Sequence, residues 1–310
     1  MEHYVTYFDS LFLPQGLALH MSMQRHAGEY TLWILCVDDN AHNILENLDL
    51  PNVRLLQLSK LETEELRAVK PTRSKGEYCW TLTPFAPRFV FEADPDVERV
   101  TYIDADIWFR RSPAPIFTEF AKSKAGVLLT DHGYSPEYDS SAVTGQYCVQ
   151  FMTFDRVKGE IARKWWEERC IEWCFARVED GKFGDQKYLD DWPTRFEGIV
   201  HVLERQELAQ APWNATRYAY GQCVFYHFHA LRIGPSRTID FRSSFRLPKV
   251  LIQNVYDIYV RDLVEAIKIL EKIGLEVPAQ IKAPSGMSLL RMMFGGIYRE
   301  LLGFLNVRKY

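Results

Sequence analysis

Four apolar runs in this chain each end on or are interrupted by acidic residues, and helical patterns separate them. They are residues 3–9 (HYVTYFD), 30–37 (YTLWILCV, followed by Asp38 and Asp39), 100–109 (VTYIDADIWF) and 125–131 (AGVLLTD). Their β-branched and aromatic content predicts buried strands. Residues 17–25 and 41–48 read as helices, and 53–58 as a further strand. Alternation of this kind predicts an α/β fold with a mostly parallel central sheet flanked by helices. Such sheets bind ligands beyond the carboxyl ends of their strands. Asp9, Asp38, Asp39, Asp104 and Asp106 all fall at or near such ends.

The run at 100–109 is interrupted by two acids. Residues two apart on a strand share a side, so Asp104 and Asp106 are expected to face one place. Two carboxylates in an apolar setting repel and are costly to desolvate, and a divalent cation offsets both costs. The alternative is a strand that ends at Ile103, with both acids solvated in a turn. Asp-x-Asp alone favours that alternative; its setting among the other strand-end acids favours the cation.

The 310 residues suffice for one large α/β domain, 1–246, and a C-terminal helical extension, 247–310. A hydrophobic content of 47% indicates a filled core, and a net charge of −4 without a basic run suited to phosphate backbones argues against nucleic acid as partner. The N-terminus lacks the layout of a secretion signal, and no apolar stretch is long enough to cross a bilayer. Most of the six cysteines lie in apolar segments, which suits reduced thiols in the cytoplasm. Cys170 and Cys174 have no matching second pair for zinc and are read as core.

Residues 77–92 (EYCWTLTPFAPRFVFE) read as a helical stretch broken by Pro84 and Pro87, and 147–154 as a strand carrying Gln150. In 180–193 (DGKFGDQKYLDDWP), two glycines set an Asp185-Gln186 pair at the start of a short helix. A structural reading makes Asp185 the helix N-cap. Residues 223–231 (CVFYHFHAL) read as a strand with His227 and His229 on one side. Residues 251–273 form an amphipathic helix. After a Pro-Ser-Gly linker, the apolar segment 287–305, with Arg308 and Lys309 behind it, suits either a membrane surface or a packed helix or dimer seam.

With these segments in order, the chain resembles glycosyltransferases of the GT-A fold. It is similar to the glycogenin and lipopolysaccharide galactosyltransferase type, and closer still to bacterial transferases of surface-polysaccharide synthesis. The matching pieces are EYCWTLTP, VTYIDADIWF, the block ending DQKYLDDWP, APWN and YHFHAL. The resemblance implies that Asp104, Asp106 and His227 hold Mn²⁺ or Mg²⁺ under the diphosphate of a nucleotide sugar. It implies that Gln186 lies beneath the anomeric carbon, with Asp185 beside it. Tyr7 and Asp9 would lie along the base and ribose. Asp38, Tyr78 and Thr81 are further donor-site candidates, and Arg88, Asp131 and Gln150 are looser matches for sugar contacts. Two departures bear on phosphate clamping and donor identity: Phe228-His229-Ala230-Leu231 stands where a Gly and a Lys often follow the histidine, and Tyr147-Cys148-Val149-Gln150 replaces an Asn-x-Gly.

The expected reaction is metal-dependent transfer of a sugar from a UDP-sugar to a glycan or lipid-linked acceptor, in the cytoplasm or on the inner face of the plasma membrane. The Gln186 amide oxygen favours retention of configuration; Asp185 acting as base would give inversion. The rival readings are an Asp-x-Asp phosphohydrolase and a non-catalytic scaffold with a transferase-like fold.

Overall fold

Period-two alternation within the first strands divides the hydrophobic residues between two faces of one sheet. In β1 (Glu2–Phe8), Tyr4 and Phe8 join one buried cluster and Val5 the other. In β2 (Tyr30–Cys36), Leu32, Ile34 and Cys36 face one way, and Trp33 and Leu35 the other. Strands buried on both faces read as continuous apolar runs for this reason. The computed structural model describes residues 1–241, 243–281 and 307–310.

The remaining strands are β3 (Val53–Gln57), β4 (Arg99–Ile103), β5 (Ile107–Phe109), β6 (Val127–Asp131), β7 (Tyr147–Asp155), β8 (Val200–Val202), β9 (Ala209–Gln210), β10 (Phe225–His227), β11 (Arg232–Gly234), β12 (Thr238–Asp240) and β13 (Val307–Lys309). The central sheet runs β3-β2-β1-β4-β7-β6-β8. All its pairs are parallel except those made by β7, which lies antiparallel to β4 and β6. The Leu13–His26 and Asp39–Leu48 helices cover one face. The Lys75–Leu82, Phe85–Ala93 and Glu160–Glu172 helices cover the other. Pro84 is the break expected between the first two of these, where a missing N–H ends one helix and suits the start of the next.

A small second sheet, β5-β10-β9, stands at the carboxyl end of the first, and β11-β12-β13 forms a third. The strand expected over 223–231 is therefore only Phe225–His227, and His229 lies beyond it in a turn, exposed. The last described residues pair with the third sheet. Val307–Lys309 adds an antiparallel strand to β12, and Arg308 pairs with Asp257 at 2.8 Å. The expected apolar segment 287–305 lies outside the described residues.

Beyond Pro248, one helical turn leads through a wider π turn, Ile252–Tyr256, into the Asp257–Lys272 helix. This extension is not set apart from the domain. Its Val255, Tyr259, Leu263 and Ile267 share a cluster with Trp108, Tyr226 and Phe228. The Trp108 indole N–H donates to Asp262 at 2.6 Å, and Tyr259 stacks on Phe228 with ring centroids 3.7 Å apart. Among the described residues no helix is long and apolar enough to cross a membrane. All six cysteines are free, and Cys170 and Cys174 are buried in the core as expected.

Candidate functional site

The two central acids do not share one strand. β4 ends at Ile103, and Asp104-Ala105-Asp106 turns the chain from the central sheet into the small one. The Asp104 N–H donates to the Gln150 carbonyl at 3.1 Å, one step past the end of the β4–β7 ladder. The Phe228 N–H donates to the Asp106 carbonyl at 2.9 Å, and His227 pairs with Ile107 across β5 and β10. The carboxylates thus converge through a bend and not through the pleat of a strand, and they are mostly shielded from solvent in doing so.

His227 completes the group. Its Nε2 lies 3.0 Å from Asp106 Oδ1 and 3.6 Å from Asp104 Oδ2. One ligand atom from each of the three residues falls within 4.8 Å of the others. Desolvation is the largest influence on each. It raises the Asp104 pKa. At Asp106 it is overcome by the charge and hydrogen bond of His227, and the carboxyl is held below the usual range. At His227 the two acids, chiefly Asp106, outweigh desolvation and hold the imidazole well above its usual range. Two half-buried carboxylates that face one imidazole make a place where positive charge is favoured. Two oxygen donors and one imidazole suit Mn²⁺ or Mg²⁺.

Supporting contacts surround this group. Tyr102 donates its hydroxyl hydrogen to Asp104 Oδ1 at 2.7 Å. Gln150 Oε1 lies 2.9 Å from His227 Nδ1. Trp213 sets its ring edge-on to both His227 and His229, at 5.4 and 5.7 Å. The buried Cys148 thiol lies near His132 and His227, which outweigh its desolvation and lower it to about 7.

A cavity of about 260 Å³ opens at the carboxyl ends of β1 and β2, lined by Asp9, Asp38, Arg73, Lys75, Tyr78 and Cys79 among others. Asp9 accepts from the Leu11 and Phe12 N–H groups and pairs with Lys75. Asp38 caps the next helix through the Ala41 N–H and accepts from Ser10. Helix capping therefore accounts for part of the acid pattern at the strand ends. Tyr78 lines the cavity while its hydroxyl donates to Glu62. Thr81 does not face the cavity's contents: it is fully buried, accepts from Arg73 at 2.6 Å and donates to the Glu77 carbonyl. Lys75 and Arg73 were missed from sequence; the short basic run 70–75 (KPTRSK) was the available signal.

Asp185 lies inside the protein, 3% exposed. It caps no helix through its side chain; its Oδ2 accepts from Thr83 at 2.7 Å. Thr83 bonds the Tyr7 hydroxyl at 3.0 Å, and the Tyr7 ring packs against that of Tyr102 with centroids 5.6 Å apart. Hydrogen bonds and one ring contact thus link Asp185 through Thr83, Tyr7 and Tyr102 to Asp104. Burial pushes the Asp185 carboxyl up to about 7. The two glycines before it have positive φ, 73° at Gly181 and 56° at Gly184, as the loop reading required. The Gln186 NH₂ group donates to the Thr144 carbonyl at 2.7 Å. Among the described residues its Oε1 has no partner. Asp131 holds the next turn through Gly133 and Gln146, and Arg88 pairs with Glu92 and Glu167 on the helical layer.

No family model matches this chain. It is 31% identical over 250 residues to the uncharacterized protein YfnF of Bacillus subtilis, an alignment covering 74% of this chain and 82% of the relative. The chain belongs to the YfnF family. YfnD of the same organism, also uncharacterized, is 29% identical over 277 residues, covering 84% and 88%. Among solved structures, the galactosyltransferase LgtC, crystallised with donor and acceptor sugar analogs, matches 85% of this chain and 95% of its own with a TM-score of 0.53 and 11% identity. The glycosyltransferase GlyE of Streptococcus pneumoniae matches 91% and 66%, at a TM-score of 0.51 and 14% identity. The bifunctional glycosyltransferase WbbM matches 86% and 51%, at 0.51 and 16%. The chain has the GT-A fold of these proteins.

Proposed function

We propose that this protein is a metal-dependent glycosyltransferase. It moves a sugar from a nucleotide-diphosphate sugar, a UDP-sugar, to a hydroxyl of a glycan or glycolipid acceptor. The observation that carries this reading is the meeting of Asp104, Asp106 and His227 within 4.8 Å of one another. They meet at the carboxyl end of a GT-A sheet, where the β1 and β2 ends also open a cavity. The solved glycosyltransferases of the same fold support it.

A divalent cation held by Asp104, Asp106 and His227 would neutralise charge on the departing diphosphate. The protein's own groups do the rest. Asp9, Lys75 and Tyr78 offer acceptors, a cation and an aromatic ring around the nucleoside end of the donor. Gln186 is oriented by Thr144: a carbonyl only accepts, so the NH₂ must face it, and Oε1 is left to turn toward a positively polarised sugar carbon. That favours retention. Asp185 is buried on Thr83 and supports the site from behind; this argues against its use as a base from an open face. The resemblance to surface-polysaccharide enzymes makes a bacterial lipopolysaccharide or capsule precursor the acceptor class. It also puts the work in the cytoplasm, against the inner face of the plasma membrane.

The test is a thermal-shift screen of nucleotide sugars with and without Mn²⁺. A bound ligand raises stability according to its concentration over its dissociation constant. One UDP-sugar should raise the midpoint only when Mn²⁺ is present, and that donor should then release UDP in an acceptor-dependent way. No shift from any nucleotide sugar would overturn the reading.

A further inference from the structure

Gln150 connects the two segments that supply the cation-binding residues. It lies in the middle of β7 and is fully buried. Its backbone carbonyl accepts from the Asp104 N–H at 3.1 Å. Its side-chain Oε1 lies 2.9 Å from His227 Nδ1. One residue therefore holds the acid turn through its main chain and the imidazole through its side chain.

The second contact decides which imidazole nitrogen is available. An amide oxygen can only accept, so Nδ1 must carry the hydrogen. Nε2, the nitrogen facing Asp106 and Asp104, is then the one that can turn a lone pair toward a cation. The opposite amide orientation would set NH₂ against Nδ1, draw the lone pair there and leave the hydrogen on Nε2.

A packing role does not explain the choice of residue. Among the described residues, Gln150 Nε2 is buried without a hydrogen-bond partner, and a buried unpaired donor opposes folding. Leucine or methionine on this strand would carry no such penalty. A chain that keeps the amide here keeps it for what Oε1 does.

We propose that Gln150 is a positioning residue of the cation site: it locks His227 in the tautomer whose Nε2 faces the paired aspartates. This rests on the reading of Asp104, Asp106 and His227 as cation ligands, and the test separates the two. Mn²⁺ binding to the full-length chain is measured by calorimetry for the wild type, Gln150→Met and Gln150→Glu. The methionine keeps length and removes the acceptor; the glutamate keeps an acceptor in the same place. Gln150→Met should weaken Mn²⁺ binding by about 10- to 100-fold, and Gln150→Glu should restore it to at least the wild-type level. Independently of any variant, nitrogen-15 spectra of the histidines in the wild-type chain with Mg²⁺ should show His227 protonated at Nδ1. His227 protonated at Nε2 overturns the inference. So does Mn²⁺ binding by Gln150→Met equal to wild type while His227→Ala has lost it; in that case the cation site itself still stands. A wild-type chain that binds no Mn²⁺ overturns both.

Discussion

The Tyr102 hydroxyl donates to Asp104 Oδ1 across 2.7 Å, from near the end of β4 to the turn that follows it. That bond fixes one carboxylate oxygen and leaves Oδ2, the atom nearer His227, turned toward the centre of the site. Tyr102→Phe removes the donor and keeps the ring. It should cost about 1.5–3 kcal/mol in urea unfolding, the range for a hydrogen bond to a charged acceptor. It should also weaken Mn²⁺ binding several-fold, because Asp104 can then rotate. Unchanged Mn²⁺ binding by calorimetry would show that the bond serves stability alone.

Asp106 is the acid closest to His227, at 3.0 Å. Its replacement by alanine removes one of two oxygen donors and leaves His227 without its nearest counter-charge. Asp106→Ala should abolish Mn²⁺-dependent release of UDP from the donor sugar. The measurement is UDP formation at saturating Mn²⁺, and full turnover in the variant would remove Asp106 from the mechanism.

Gln186 is predicted to act on rate more than on binding. Its NH₂ is tied to Thr144, and only its Oε1 is free for chemistry. Gln186→Ala should lower kcat by about 10²-fold or more, the scale of losing one well-aimed dipole at the reacting centre, while KM for the donor changes little. A large rise in KM with kcat preserved would make it a binding residue instead.

The layered α/β fold was legible because β1 and β2 are apolar on both faces, and that pattern survives in the structure residue by residue. The grouping of Asp104, Asp106 and His227 was legible as residue types, but its geometry was not. A strand pleat and a turn both bring two acids together, and only the pairing of β5 with β10 shows that the turn does so here. Two of the other strand-end acids carry a second role: Asp9 and Asp38 line the cavity and also cap helices, a role that asks for the same residue types in the same place. Thr83 and Tyr102 escaped notice because a buried hydroxyl leaves no periodic trace; only contact across 102 residues links Thr83 to Asp185. Gln150 was expected near the sugar; its contact with the His227 ring is one that no one-dimensional spacing records.

The boundary at residue 246 is open to a direct test. Tyr259, Leu263 and Ile267 bury Trp108 and Phe228, which neighbour Asp106 and His227 in sequence. Burying one large apolar side chain contributes about 1.5–3 kcal/mol, and several are involved. A chain ended after residue 246 should therefore lose its cooperative thermal transition and its Mn²⁺ binding together. A truncated chain that melts cooperatively would establish residues 247–310 as a separable extension.

The buried acid at 185 gives a stability profile with a definite sign. Burial raises its pKa to about 7 in the folded protein, against about 3.9 in an unfolded chain. Below the unfolded value both states are protonated and the carboxyl imposes no penalty. As pH rises from about 4 to about 7 the unfolded state gives up its proton first, so wild-type stability falls over that interval. Above about 7 both states are ionised and the loss is complete, at most about 4 kcal/mol by linkage. Asp185→Asn keeps an oxygen to accept from Thr83 and cannot ionise. The variant should match the wild type near pH 4, gain on it steadily, and exceed it by the full amount at pH 8. Urea unfolding across that range reads the difference. A wild type that instead gains stability over the variant as pH rises would mean that Asp185 is ionised and paired in the folded protein, and the Thr83 hydroxyl would then be donating to a charge.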